Sequence, residues 1–182
     1  MDISLLEPQR LPEGIRYYGM VKGAEAGELW LPDELPRMLE RVRKFGQQHA
    51  STCLDPRQLA VRYRPGSGAR DGLQLTVSWT PDPAAQLVGT DPARGVSIPM
   101  GDTAARYHDG QWAPGPSQDP SENVESPVGI THWDRTREHS ASFHVADGVV
   151  GIRSARAVIG DSAELIAVLA SIPYVSSLCG TP

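Results

Sequence analysis

Leu73, Leu75, Val77 and Trp79 alternate with Gln74, Thr76 and Ser78. That period of two is the strongest constraint on this chain. It fits a strand with one apolar and one polar face and does not fit a helix, whose apolar positions recur at every third or fourth residue. Just before it, Leu59, Val61 and Tyr63 alternate with Ala60, Arg62 and Arg64. The stretch Pro65 to Gly72 between the two is rich in turn residues, which predicts a hairpin with a long loop. Weaker strand patterns cover Gly14 to Val21 and Val128 to Trp133.

Two Asp-Gly pairs, Asp109-Gly110 and Asp147-Gly148, stand where two-residue hairpin turns are expected. They would join Thr103–His108 to the segment from Gln111, and Ser140–Ala146 to Val149–Ser154. Pro114 to Pro127 is rich in Pro, Ser and acidic residues and reads as a flexible loop.

Helical spacing occurs twice. From Asp33 to Phe45, the residues Leu35, Met38, Leu39, Val42 and Phe45 form one stripe, with Asp33 as N-cap and Gly46 as the stop. Its other face, with Arg37, Glu40, Arg41 and Lys44, reads as solvated. Near the end, Asp161 and Glu164 have capping-box spacing, Leu165, Val168, Leu169 and Ile172 line one face, and Pro173 ends the run. Strands in meander order between an early and a C-terminal helix predict a single α+β domain over 1–182. Its sheet would be mostly antiparallel and carry both helices.

Composition narrows the function classes. Seventeen basic against 22 acidic residues give a net charge of −5. With no basic run, nucleic acid is not an expected partner. No stretch of about 18 apolar residues is present, so no membrane span is expected. Met1 to Pro12 lack a basic n-region and an apolar h-region, so no signal peptide is expected. A cytoplasmic protein and a fragment beginning after a membrane anchor both fit. Cys53 and Cys179, far apart in polar or terminal segments, leave a long-range disulfide and two separate thiols both open.

The search for chemistry is negative. There is no Gly-x-Ser-x-Gly elbow, and Gly160-Asp161-Ser162 is accounted for by the helix cap. Gly66-Ser67-Gly68 lacks the lysine of a phosphate-binding loop. Asp119, Glu122 and Glu125 lie in the loop segment, where nothing would raise a carboxylate pKa. His132, His139 and His144 cluster in sequence beside Asp134 and Glu138, without the HExxH or CxxC spacing of zinc sites. On one strand His139 and His144 would face opposite sides, and solvent-facing histidines are the expectation. No catalytic residue, metal or cofactor is assigned. Four tryptophans stand against five tyrosines and two phenylalanines. Trp79 belongs to the apolar face. Trp112 and Trp133, beside polar loops, are the candidate ligand-binding residues, since an amphipathic ring can line a groove.

Gly101-Asp102 leads to Ala105-Arg106-Tyr107-His108 and then Gln111-Trp112. After these come the strand with Trp133, the hairpin strands Ser142–Val145 and Val149–Arg153, and the run Asp161-Ser162-Ala163-Glu164-Leu165-Ile166. Over about residues 96–172 this order resembles the extracytoplasmic domains of actinobacterial membrane-anchored anti-sigma-factor-like and uncharacterised sensor proteins. The chain departs from them in having no span, no N-terminal sigma-binding module and the inserted 114–127 segment. The resemblance implies a half-barrel domain with a curved sheet and a binding groove between sheet and helices, which binds or senses a small ligand or protein without catalysis. The alternatives are a cytoplasmic acidic interaction protein of the immunity or inhibitor type, and a hydrolase or metal enzyme using the 132–144 histidines.

Overall fold

The computed structural model describes residues 2–22, 30–31, 57–66, 73–87, 89–126 and 129–179. The strands are β1 (Ile15–Lys22), β2 (Trp30–Leu31), β3 (Leu59–Pro65), β4 (Leu75–Thr80), β5 (Gln86–Leu87), β6 (Val96–Met100), β7 (Thr103–His108), β8 (Gln111–Pro114), β9 (Asn123–Ser126), β10 (Gly129–Asp134), β11 (Glu138–Val145) and β12 (Gly148–Ala155). Two helices close the chain, α1 (Ser162–Ala170) and α2 (Pro173–Ser176). The helix expected over 33–45, Cys53, and most of the turn after β3 lie outside the described residues.

Seven strands form one antiparallel sheet in the order β1-β3-β4-β12-β11-β7-β6. The α+β class with a mostly antiparallel sheet therefore stands. The order is not a meander, because the C-terminal hairpin β11–β12 inserts between the β3–β4 hairpin and the β6–β7 hairpin. A second sheet, β8-β10-β9, stands beside it, and β2 pairs with β5.

Register explains the core. Leu59, Val61 and Tyr63 on β3 face Trp79, Val77 and Leu75 on β4; Val150 and Ile152 on β12 extend the rows to Phe143 and Ala141 on β11. All are buried on one face, with Tyr107 and Ala105 of β7. Leu165, Val168 and Leu169 of α1 are fully buried and belong to the same core. Each such side chain contributes roughly 1.5–3 kcal/mol. The groove expected between sheet and helices is thus filled by α1 on the side where a helix is described. Asp161 caps α1, accepting from Glu164 N at 3.2 Å. Pro173 does not merely end that helix; it occupies the first turn of α2, where its missing N–H costs nothing.

Both Asp-Gly expectations need correction. β7 and β8 do not pair, so Asp109-Gly110 is a corner between two sheets and not a hairpin turn. In the β11–β12 hairpin the loop residues are Ala146 and Asp147, and Gly148 already pairs with Val145. The β6–β7 hairpin has the two-residue turn: Met100 pairs Thr103, and Gly101 adopts φ +60° at the first loop position, a conformation open to glycine. Within 114–127, where the composition predicts a loop, Pro120–Glu122 form a 3-10 turn and β9 pairs with β10.

Candidate functional site

The sheet face turned away from α1 is polar, and much of it is buried. One cross-strand row runs Arg62, Thr76, Arg153, Ser140, His108; the next runs Ala60, Ser78, Gly151, Ser142, Arg106. Thr76, Ser78, Ser140, Ser142 and His108 are all at most 5% exposed. An antiparallel sheet commonly leaves one face to water; here the middle of the polar face is buried too, while Arg106 and His144 remain exposed.

Buried polar atoms without hydrogen-bond partners among the described residues occur at both ends of this face, at Arg62 Nε and Arg64 Nε on β3 and at His108 and Ser140 on β7 and β11. His108 is 4% exposed, and neither ring nitrogen has a hydrogen-bond partner among the described residues. The hydroxyl of Ser140, directly across the strand pair, is also buried and unpartnered. An orphaned buried polar group costs about 1–3 kcal/mol. Burial pushes the His108 pKa down, and so does the Arg106 guanidinium, against opposing pulls from the Asp91 carbonyl and the Asp91 and Asp109 carboxylates. The Asp91 carbonyl approaches the ring without reaching hydrogen-bond geometry.

Beside His108 opens a cavity of about 170 Å³. Its floor is Arg106 and His108 from β7 with Ser142 and His144 from β11. Its wall is the chain around β5, where Ala84, Leu87 and Pro92 supply apolar surface and Thr90 a hydroxyl. Ala85, Leu87 and Val149 pack together and hold that wall on the sheet. Two contacts orient the polar groups: His144 donates Nδ1–H to the Pro83 carbonyl at 3.0 Å, and an Arg106 guanidinium N–H donates to the Pro92 carbonyl. Gly95 permits the arrangement. A Cβ there would run into Arg106 Nε and lie 2.8 Å from His108 Nε2, so both side chains pack where only a glycine gives them room.

The sequence candidates lie elsewhere. Trp112 and Trp133 do come together, opposite each other on β8 and β10 with centroids 5.4 Å apart and planes at 80°. Trp133 is 1% exposed, however, and donates Nε1–H to Asp109 Oδ1 at 3.0 Å. Arg135 Nε holds the other oxygen of Asp109 at 2.8 Å, and Arg94 lies 5.3 and 5.2 Å from the two ring centroids. The pair ties the corner at Asp109-Gly110 to the smaller sheet, and Trp133 also lines a cavity of about 460 Å³ with His132, Asp134 and Arg135.

The histidines do not converge. His132 bonds the Gly115 carbonyl at 2.7 Å in the smaller sheet. His139 shares a 3.1 Å hydrogen bond with the Tyr107 hydroxyl on the core face, and His144 lies on the opposite face. The expectation of opposite faces holds for His139 and His144, but His139 is buried and not solvent-facing. Among the described residues no group of three or more His, Cys, Asp or Glu side chains is placed to hold a metal ion. Cys179 is a free thiol, half-buried, 4.0 Å from Thr103 Oγ1; Cys53 lies outside the described residues. Among those residues, no helix is long and apolar enough to cross a membrane.

Sequence reasoning passes over Arg106, His108 and Ser142 as site residues, because polar residues that alternate with apolar ones read as the solvent side of a strand. A signal is present. The alternate positions are hydroxyls along β4, at Thr76, Ser78 and Thr80, and in the middle of β11, at Ser140 and Ser142, in place of the Lys and Glu that usually meet water.

Fold and site together define an α+β domain whose central antiparallel sheet has a buried apolar face and a polar face buried in its middle, with a small polar-floored cavity on the second. Compared with known proteins, the chain matches no protein-family model, no curated protein and no solved structure.

Proposed function

We propose that the protein is a non-enzymatic binding domain that takes a small ligand in the cavity floored by β7 and β11. The observation that carries this reading is His108, buried and unpartnered at both nitrogens beside an open cavity. A bound molecule that drew the ring toward the cavity and met one of those nitrogens would remove a standing desolvation cost. The histidines that an enzyme reading would recruit support the same view, since His132, His139 and His144 are each engaged by a different group. The resemblance of residues 96–172 to extracytoplasmic sensor domains supports a place in a membrane-associated bacterial protein. Alkylation of the denatured chain with and without reduction, read by intact mass, tests that compartment: resistance until reduction supports it through a Cys53–Cys179 bridge, and free alkylation moves the reading to the cytoplasmic alternative.

Binding itself is tested by following the His108 ring resonances against a panel of short-chain acids, amino acids, sugars and nucleosides. Saturable shifts at His108 with at least one class are expected. Unmoved His108 resonances across the whole panel would overturn the reading.

A further inference from the structure

We infer that the cavity takes a small organic monocarboxylate of about benzoate size, its carboxylate toward Arg106 and His108 and its apolar body against Ala84, Leu87 and Pro92. The inference rests on the binding reading above and narrows it to one ligand class.

Charge is the first argument. The described residues lining the cavity include a guanidinium, two imidazoles and two hydroxyls, and no carboxylate. In a chain of net charge −5 that is a local departure toward anion affinity. Arg106 has one guanidinium N–H fixed on the Pro92 carbonyl, which orients the planar fork while its other N–H groups stay available. A carboxylate matches that fork in shape and charge.

Convergence is the second. Because Gly95 has no side chain, Arg106 Nε and His108 Nε2 pack side by side against it, which brings the two groups together. Ser142 sits directly across from Arg106 in the strand register, so its hydroxyl belongs to the same end of the floor. Three donor-bearing groups from two strands thus meet at one end, while the wall opposite offers the apolar surface of Ala84, Leu87 and Pro92 beside Gln86 and Thr90.

Size is the third. A cavity of about 150 Å³ accommodates a benzene ring, so the volume of about 170 Å³ here takes a body of that order. Larger ligands would have to leave through the open side.

The test titrates the full chain with benzoate, its neutral isostere benzamide, butyrate and inorganic phosphate, by calorimetry and by the resonances of His108 and the Arg106 Nε–H. Benzoate is expected to saturate with shifts at both residues, to bind at least tenfold more tightly than benzamide, and to bind more tightly than butyrate. Arg106→Gln, checked for folding by circular dichroism, is expected to weaken benzoate at least tenfold and to narrow its preference over benzamide. The benzoate–benzamide comparison on the unaltered protein decides the matter even if that variant fails to fold. Equal binding of the two overturns the carboxylate inference and leaves the binding reading intact. Phosphate binding tighter than benzoate overturns it in favour of an inorganic oxyanion. Failure of all four probes to shift His108 overturns the carboxylate inference, and the wider panel then decides the binding reading separately.

Discussion

Acidification is expected to destabilise the fold through His139. Its ring sits on the core face of β11, 1% exposed, edge-on to Tyr107 with centroids 5.8 Å apart. Nδ1 meets the Tyr107 hydroxyl, while Nε2 is buried without a hydrogen-bond partner among the described residues. Burial first, and then the positive charge of Arg156, push its pKa down to about 4, against smaller opposing effects of the Ile159 carbonyl and Asp161. In the unfolded chain a histidine titrates near 6.5. Between those two values the unfolded chain binds a proton that the folded chain does not. The stability that neutral His139 contributes is therefore complete above pH 6.5 and is lost as pH falls toward 4. A gap of about 2.5 units at about 1.4 kcal/mol per unit amounts to about 3 kcal/mol. That is a large share of the 5–15 kcal/mol typical of a domain. Urea unfolding followed by tryptophan fluorescence at pH 7.5, 5.5 and 4 measures it. Wild type is expected to lose about 3 kcal/mol more than His139→Gln across that range. At slopes of about 1–3 kcal/mol per molar urea, this moves the midpoint by about 1–3 M. Carboxylates titrate in both proteins and cancel in the comparison. His108, also shifted down, remains in both and sets a residual slope of the same sign. Equal losses in the two proteins, or a His139 ring titration with its midpoint near 6.5, would refute the reasoning.

Two glycines separate conformational strain from close approach. A Cβ on Gly14 (φ +78°) would have no neighbour within 4 Å, whereas a Cβ on Gly101 (φ +60°) would run into the Cys179 carbonyl. Gly14→Ala is expected to cost about 1–2 kcal/mol from the left-handed backbone alone, and Gly101→Ala distinctly more; equal urea midpoints would show that the C-terminal segment yields freely. Trp133→Phe removes the bond to Asp109 and is expected to cost about 1–3 kcal/mol, lowering Tm by several degrees in a scan; an unchanged Tm would mean the corner holds without it. Gly95→Ala fills the space between Arg106 and His108, and is expected to cut benzoate affinity at least tenfold; unchanged affinity would place the ligand elsewhere.

The strands are legible in the sequence because their period is local. Leu75, Val77 and Trp79 announce a face whatever lies beside them, and Thr103–His108 has the expected bounds. Strand order is not legible. Pairing β12 with β4 joins residues about 70 apart in the chain, and nothing in either strand's pattern selects that neighbour. The Asp-Gly pairs mislead for a related reason. Gly110 is required by the approach of the Asp134 carbonyl and Trp133 Nε1, a tertiary demand, and not by a turn with positive φ. Similarly, Trp112 and Trp133 are recognisable as a pair near strand ends, but only the register shows that they lock against each other.

The polar sheet face sets stability against function. Ser140 Oγ, both nitrogens of His108 and, further along the same row, Arg62 Nε are buried without hydrogen-bond partners among the described residues. Replacing such groups with apolar side chains of like shape is often neutral or stabilising, so stability alone does not account for them. The core face carries such atoms too, at Tyr63 Oη, Trp79 Nε1 and His139 Nε2, set among Ala, Val, Ile and Phe. At His108 the unpartnered ring also lines a cavity, beside the Arg106 guanidinium. A buried cost next to a cavity that a molecule can enter marks where binding has most to relieve. This distinction ranks the β7–β11 floor above the tryptophan pair, whose hydrogen-bonding group is already engaged by Asp109.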